Sequence, residues 1–127
     1  MPPSMMDRLL WSDVGEAYEA LEQFVEAESH YKRALELAPD TNRYYYRLSE
    51  LYRHTDRPSQ AIAVIEQAIA ANPDAEDSAV LHVHMAEIYV EIGDYAKAAE
   101  YMSKAAQLDP ESELVSHYRE KLNIPAP

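Results

Sequence analysis

Apolar and polar positions along the chain follow the period of an amphipathic helix, segment after segment. Leu10, Trp11, Val14, Tyr18 and Leu21 fall at spacings of three and four, while Asp13, Glu16, Glu19 and Glu22 take the other faces. One side of such a segment is buried and the other is wet. The pattern predicts a first helix running to about Leu21, opened by a capping box of Ser4 and Asp7 after a disordered lead over 1–4. A second helix is expected from about Phe24 to Ala38, with Pro39 ending it and Asp40 capping a third that runs to His54. Thr55-Asp56-Arg57-Pro58 reads as a turn in which Asp56 caps and Pro58 sits in the first turn of a fourth helix, where its missing N–H costs nothing. That helix ends at Ala71. The acidic segment Glu76-Asp77-Ser78 is expected to lengthen the fifth helix, its carboxylates set against the N-terminal dipole. A last helix over 111–122 carries Leu114, Val115, Tyr118 and Leu122 on one face, before a tail at 124–127.

The chain also repeats itself. Trp11, Val14, Gly15, Tyr18, Ala27, Tyr31, Ala34 and Pro39 are followed 34 residues on by Tyr45, Leu48, Ser49, Tyr52, Ala61, Ile65, Ala68 and Pro73. A third copy reads His82, Met85, Ala86, Tyr89, Ala98, Met102, Ala105 and Pro110, and Gly93-Asp94-Tyr95 marks its turn. This order of large, small and breaker positions resembles the tetratricopeptide repeat, a helix-turn-helix unit. The resemblance covers roughly residues 5 to 123 and implies an all-α fold: a right-handed α-solenoid of three repeats (8–41, 42–75 and 79–112) with a seventh, capping helix. It implies one domain over 5–123. A terminal repeat must not present its apolar flank to water, which gives the seventh helix its purpose.

Composition narrows the function. Two glycines and one phenylalanine in 127 residues, with abundant Ala, Leu and Glu, favour helix over strand. A net charge of −12 makes nucleic acid and anionic membrane surfaces poor partners. No stretch approaches the length of a bilayer span, so membrane insertion is not expected and a cytoplasmic location is the default. The absence of cysteine removes disulfides, thiolate metal sites and a cysteine nucleophile. His82 and His84 are two apart on one helix and point to different faces, unlike the i, i+4 pair of a zinc helix, and no phosphate loop or nucleophile motif is present. His82 is expected to be a packed, hydrogen-bonded ring. No metal, no cofactor and no catalysis are expected.

Function then falls to residues that the repeat does not fix. The resemblance implies a concave groove lined by the first helix of each repeat. Its inward positions are Leu9, Ser12, Asp13, Glu16 and Glu19; then Arg43, Tyr46, Arg47, Glu50 and Arg53; then Val80, Val83, His84, Glu87 and Val90. Repeat one holds three positive residues against eight negative, repeat two four against four, repeat three two against six. The basic patch is central. An arginine-rich, tyrosine-bearing middle between acidic ends suits an extended or helical peptide with an acidic or C-terminal carboxylate group flanked by basic residues. The bland counterpart is a solvated face whose arginines pair locally with Glu50. His84 is a candidate pH sensor beside Glu50 or Glu87.

Some members of the resembled family clamp the acidic tails of heat-shock chaperones. This chain departs from that pattern with Ser12, Glu16, Arg47, Val80 and His84 at the matching places, so chaperone-tail binding is not expected. The reading is a protein–protein interaction module. The rival reading is a structural unit that forms a homodimer through Met5, Met6, Leu9 and Leu10 at its N-terminal end.

Overall fold

The computed structural model describes the backbone of residues 5–71 and 78–122 and the side chains of residues 11–71 and 78–122. Among these residues the chain is all-α. Its helices are α1 (Met5–Ala20), α2 (Phe24–Leu37), α3 (Asn42–His54), α4 (Pro58–Ala71), α5 (Ser78–Glu91), α6 (Tyr95–Leu108) and α7 (Glu113–Lys121). They form two compact units, Met1–Ala71 and Asn72–Pro127. In the first, α1 packs on α2, α2 on α3 and α3 on α4; in the second, α5 packs on α6, and α7 rests on both.

Small residues set these packings. Ala27 and Ala34 on α2, Ala61 and Ala68 on α4, and Ala98 and Ala105 on α6 are all fully buried. Between each pair of alanines lies one large residue, Tyr31, Ile65 or Met102, also buried completely. The paired helices therefore approach closely at the alanines and interlock through the large side chain, as close-packed interiors require. Ser49 shows how near the backbones come: its hydroxyl donates to the Ala61 carbonyl on α4 at 3.3 Å.

The helix ends follow local chemistry, with two corrections to the expected caps. Asp94 accepts a hydrogen bond from the Lys97 N–H at 3.1 Å and Ser112 accepts one from the Val115 N–H at 3.2 Å, each fixing a first turn. Asp40 does not cap α3; the N-cap is Thr41, one residue later, and its side chain makes no capping bond. Asp56 does not cap α4 either, because it takes a left-handed conformation at φ 59° that closes α3. Pro58 opens α4 as expected. The Ser4–Asp7 capping box and the contribution of Glu76 and Asp77 lie outside the described residues, and α5 is described from Ser78 onward.

The turns inside the three repeats are the same motif. The N–H groups of Gln23, Arg57 and Asp94 reach back five residues to the carbonyls of Tyr18, Tyr52 and Tyr89, at 2.9, 2.8 and 2.9 Å. The preceding residue is left-handed each time: Glu22 and Asp56 at φ 59° and Gly93 at φ 84°. This closure satisfies the last helical carbonyls and suits glycine, which has no Cβ to clash. Glu22 is the costliest occupant, since a short Asp side chain tolerates this region better. Glu22→Gly is therefore expected to raise the folding free energy by about 0.5–1 kcal/mol in urea denaturation, relief of strain outweighing the looser unfolded chain. A neutral or lowered midpoint would contradict this account of the turn.

Candidate functional site

The expected inward positions of α1 and α3 meet in the first unit as charge pairs. Glu16 on α1 receives two arginines from α3: Arg47 Nε lies 2.7 Å from its Oε1 and Arg43 Nη2 lies 3.8 Å from the same oxygen. The Arg47 approach is off the N–H axis, so the contact is an ion pair rather than an aligned hydrogen bond. Glu50 pairs with Arg53 one turn along α3. Glu19 accepts the Tyr31 hydroxyl at 2.7 Å and lies 3.4 Å from His54 Nδ1. Two carboxylates, Glu16 and Glu50, thus meet three guanidinium groups, while Glu19 meets a tyrosine hydroxyl and a histidine ring. The local pairing with Glu50 holds for Arg53, while Arg43 and Arg47 turn to the neighbouring repeat's Glu16.

Tyr31 forms part of the wall of this cluster. Its ring rises from α2, and a hollow of about 330 Å³ open to solvent is lined by Glu16, Glu19, Ala20, Tyr31 and Arg47. Burial, then the hydrogen bond to Glu19, then the charges of Glu19 and Glu16 hold the Tyr31 hydroxyl well above the usual tyrosine range. It remains a donor at any ordinary pH. The repeat pattern assigned Tyr31 to the core and so gave no sign of this second role.

The other expected positions divide into accessible and buried ones. Asp13 is exposed and Tyr46 half-buried. Ser12 is buried at 1% exposure, and its hydroxyl makes no hydrogen bond among the described residues. On α5, Val80, His84, Glu87 and Val90 are half-buried, whereas Val83 is fully buried. Ser12 and Val83 therefore present no area to a ligand. His84 Nδ1 lies 3.4 Å from Glu87 Oε1. The side chains of Leu9 and of Met5, Met6 and Leu10, the expected homodimer contact, lie outside the described residues.

A second network ties α2 to α3. Glu28 accepts the Tyr52 hydroxyl at 2.6 Å and sits 3.4 Å from both Lys32 and Arg57, whose guanidinium lies over the Tyr52 ring at 4.5 Å. Burial pushes the Glu28 carboxyl up, but the Tyr52 hydroxyl and the two cations outweigh it and hold it below the usual carboxylate value. His82 is buried, and its Nδ1–H donates to the Ser78 carbonyl at 2.8 Å, the packed ring that was expected. Among the described residues no three His, Asp or Glu side chains gather as metal ligands would, and no helix is long and apolar enough to cross a membrane.

Paired antiparallel helices, a repeated alanine–large–alanine interlock and one shared turn define an α-helical repeat protein. Tetratricopeptide-repeat family models match residues 7–74 and 79–112, and the chain belongs to that family. The N-terminal domain of stress-induced protein-1 from C. elegans is similar over 91% of this chain and 94% of its own, with 19% identity and a TM-score of 0.75. The type III secretion translocator chaperone SycD of Yersinia enterocolitica is similar over 94% and 90%, with 14% identity and a TM-score of 0.80. The first such domain of Spaghetti (RPAP3), solved with an HSP90 peptide, is similar over 97% and 95%, at 13% identity and a TM-score of 0.72. Likeness at this level of identity shows the shared fold. No curated protein sequence matches the chain.

Proposed function

We propose that the chain is a protein–protein interaction module, not an enzyme, and that it takes a peptide or protein segment on the face where α1 and α3 present their charged side chains. The observation that carries this reading is the cluster of Glu16, Arg43 and Arg47. These are long side chains of opposite sign, held in place by one another yet left 31%, 54% and 40% exposed beside an open hollow. Groups that are ordered in advance lose less freedom on binding, and arginine is favoured where contacts must be specific. Similar folds support the reading, since the Spaghetti domain was solved with the HSP90 peptide SRMEEVD and SycD with a peptide of the translocator YopD. The half-buried Val80, His84, Glu87 and Val90 of α5 are proposed separately, as contact positions of the second unit on its own.

Reversing Arg43 and Arg47 together to Glu tests it. Half-exposed ion pairs of this kind contribute only about 0–1 kcal/mol, so helix content and melting are expected to change little. Capture of the natural partner from extract, quantified by mass spectrometry, is expected to fall at least about tenfold, or about 1.4 kcal/mol. Equal recovery of the same proteins by wild type and variant would reject the site.

A further inference from the structure

We infer that Glu16 sets the charge specificity of this face: it occupies the arginine pair as an internal carboxylate, so the face turns away acidic segments and favours a segment that brings a basic side chain. The inference rests on the proposed binding face and deepens it.

Two arginines one turn apart on α3 would suit a ligand's carboxylate if they stood alone. They do not. The Glu16 Oε1 atom already lies 2.7 Å from Arg47 and 3.8 Å from Arg43, and it comes from a different helix, which fixes it relative to both. An incoming carboxylate has to displace Glu16 or share the pair with it. Displacement leaves Glu16 without its cations, and sharing sets two like charges side by side. Either way the acidic ligand meets a repulsive group that a basic ligand does not.

The hollow beside the pair points the same way. Two of its lining residues are carboxylates, Glu16 and Glu19, against the single cation Arg47. The Tyr31 hydroxyl, which would otherwise be a donor for an anion, is already engaged by Glu19. The Tyr31 hydroxyl is thus taken and the charge of Arg47 is already met by Glu16, while Glu16 is 31% exposed and keeps lone pairs for a lysine or arginine of the partner. The net charge of −12 adds long-range attraction for basic segments and slows the approach of acidic ones.

Glu16→Gln tests the inference, because the amide keeps the shape of the side chain and removes its charge. Two short synthetic peptides serve as probes, one ending in several glutamates and aspartates and one carrying lysines at the same places, titrated by calorimetry or fluorescence anisotropy. Wild type is expected to prefer the lysine probe. In Glu16→Gln the acidic probe is expected to gain about tenfold in affinity and the preference to narrow or invert. Glu66→Gln, an exposed carboxylate on α4 away from this face, makes the same change in net charge and is expected to leave both affinities almost unaltered. Glu16→Ala checks that the gain follows loss of the carboxylate rather than the new amide. The inference is overturned if Glu16→Gln leaves the preference of wild type in place, if Glu66→Gln shifts it equally, or if neither probe binds either protein. The proposed binding face answers separately to partner capture by the Arg43 and Arg47 reversal, so failure here leaves that result standing.

Discussion

Tyr31→Ala is expected to lower the folding free energy by about 3–5 kcal/mol, the range seen when a buried aromatic ring is cut back to a methyl group. The ring has no exposure to solvent, lies between the buried Ala27 and Ala34 of its own helix, and presses on Gly15 of α1. Truncation would leave a hole in the α1–α2 packing and take the 2.7 Å hydroxyl donor away from Glu19. Tyr31→Phe separates the two losses, since it keeps the ring and removes only the hydrogen bond, for about 1 kcal/mol. Urea denaturation followed by circular dichroism measures both. Equal stability of the alanine variant would mean that the interlock is not what holds the first repeat. The hydrogen bond carries a pH signature as well. Because burial and the Glu19 bond raise the hydroxyl's folded value above its unfolded one, its contribution is complete below the ordinary tyrosine range and is lost as the solution becomes alkaline. A domain is only about 5–15 kcal/mol stable, so the alanine variant would forfeit a large share of the whole.

The helices were legible because helical period and repeat spacing both mark them. Phe24, His54, Pro58 and Ala71 stand at helix ends where the sequence pattern predicts them, within a chain that tells its repeat frame three times over. Ala27, Ala61 and Ala98 could be read as contact points because small residues recur there at one offset, and all three are fully buried. Features that depend on partners distant in sequence were harder to read. Arg53 could be matched to Glu50 because they lie three apart on one helix. The pairing of Arg43 and Arg47 with Glu16 joins residues more than two dozen positions apart and depends on how far α1 and α3 are offset. The charges were visible while their cancellation was not. The turn at Glu22 was hidden for a different reason. A left-handed residue is announced by glycine, and Gly93 announces it, but Glu22 carries no such mark and is held at φ 59° by the hydrogen bonds around it.

Gly15→Ala is expected to destabilise the protein by about 1–3 kcal/mol, although helix propensity alone would favour alanine by about 1 kcal/mol. The sign is decided by one contact. A Cβ built on Gly15 would stand 2.7 Å from Cε1 and 2.8 Å from Cδ1 of Tyr31, nearer than unbonded carbon atoms approach. A flexible chain end could step aside, but this is the middle of a rigid ring buried on every side, so α1 and α2 must move apart instead. The matching positions in the other repeats show how such a pair is balanced. Ser49 goes with Ile65 and Ala86 with Met102, so a slightly larger residue on the first helix accompanies a slimmer one on the second. Repeat one reaches the same separation with the smallest residue and the largest ring. It follows that the cost of Gly15→Ala should vanish in a Tyr31→Ile background, leaving the propensity gain of about 1 kcal/mol exposed. A double-mutant cycle in urea reads this directly. If alanine at position 15 costs as much in the Tyr31→Ile background as it does beside the native tyrosine, the clash is not its cause, and the size match between the two helices does not govern their approach.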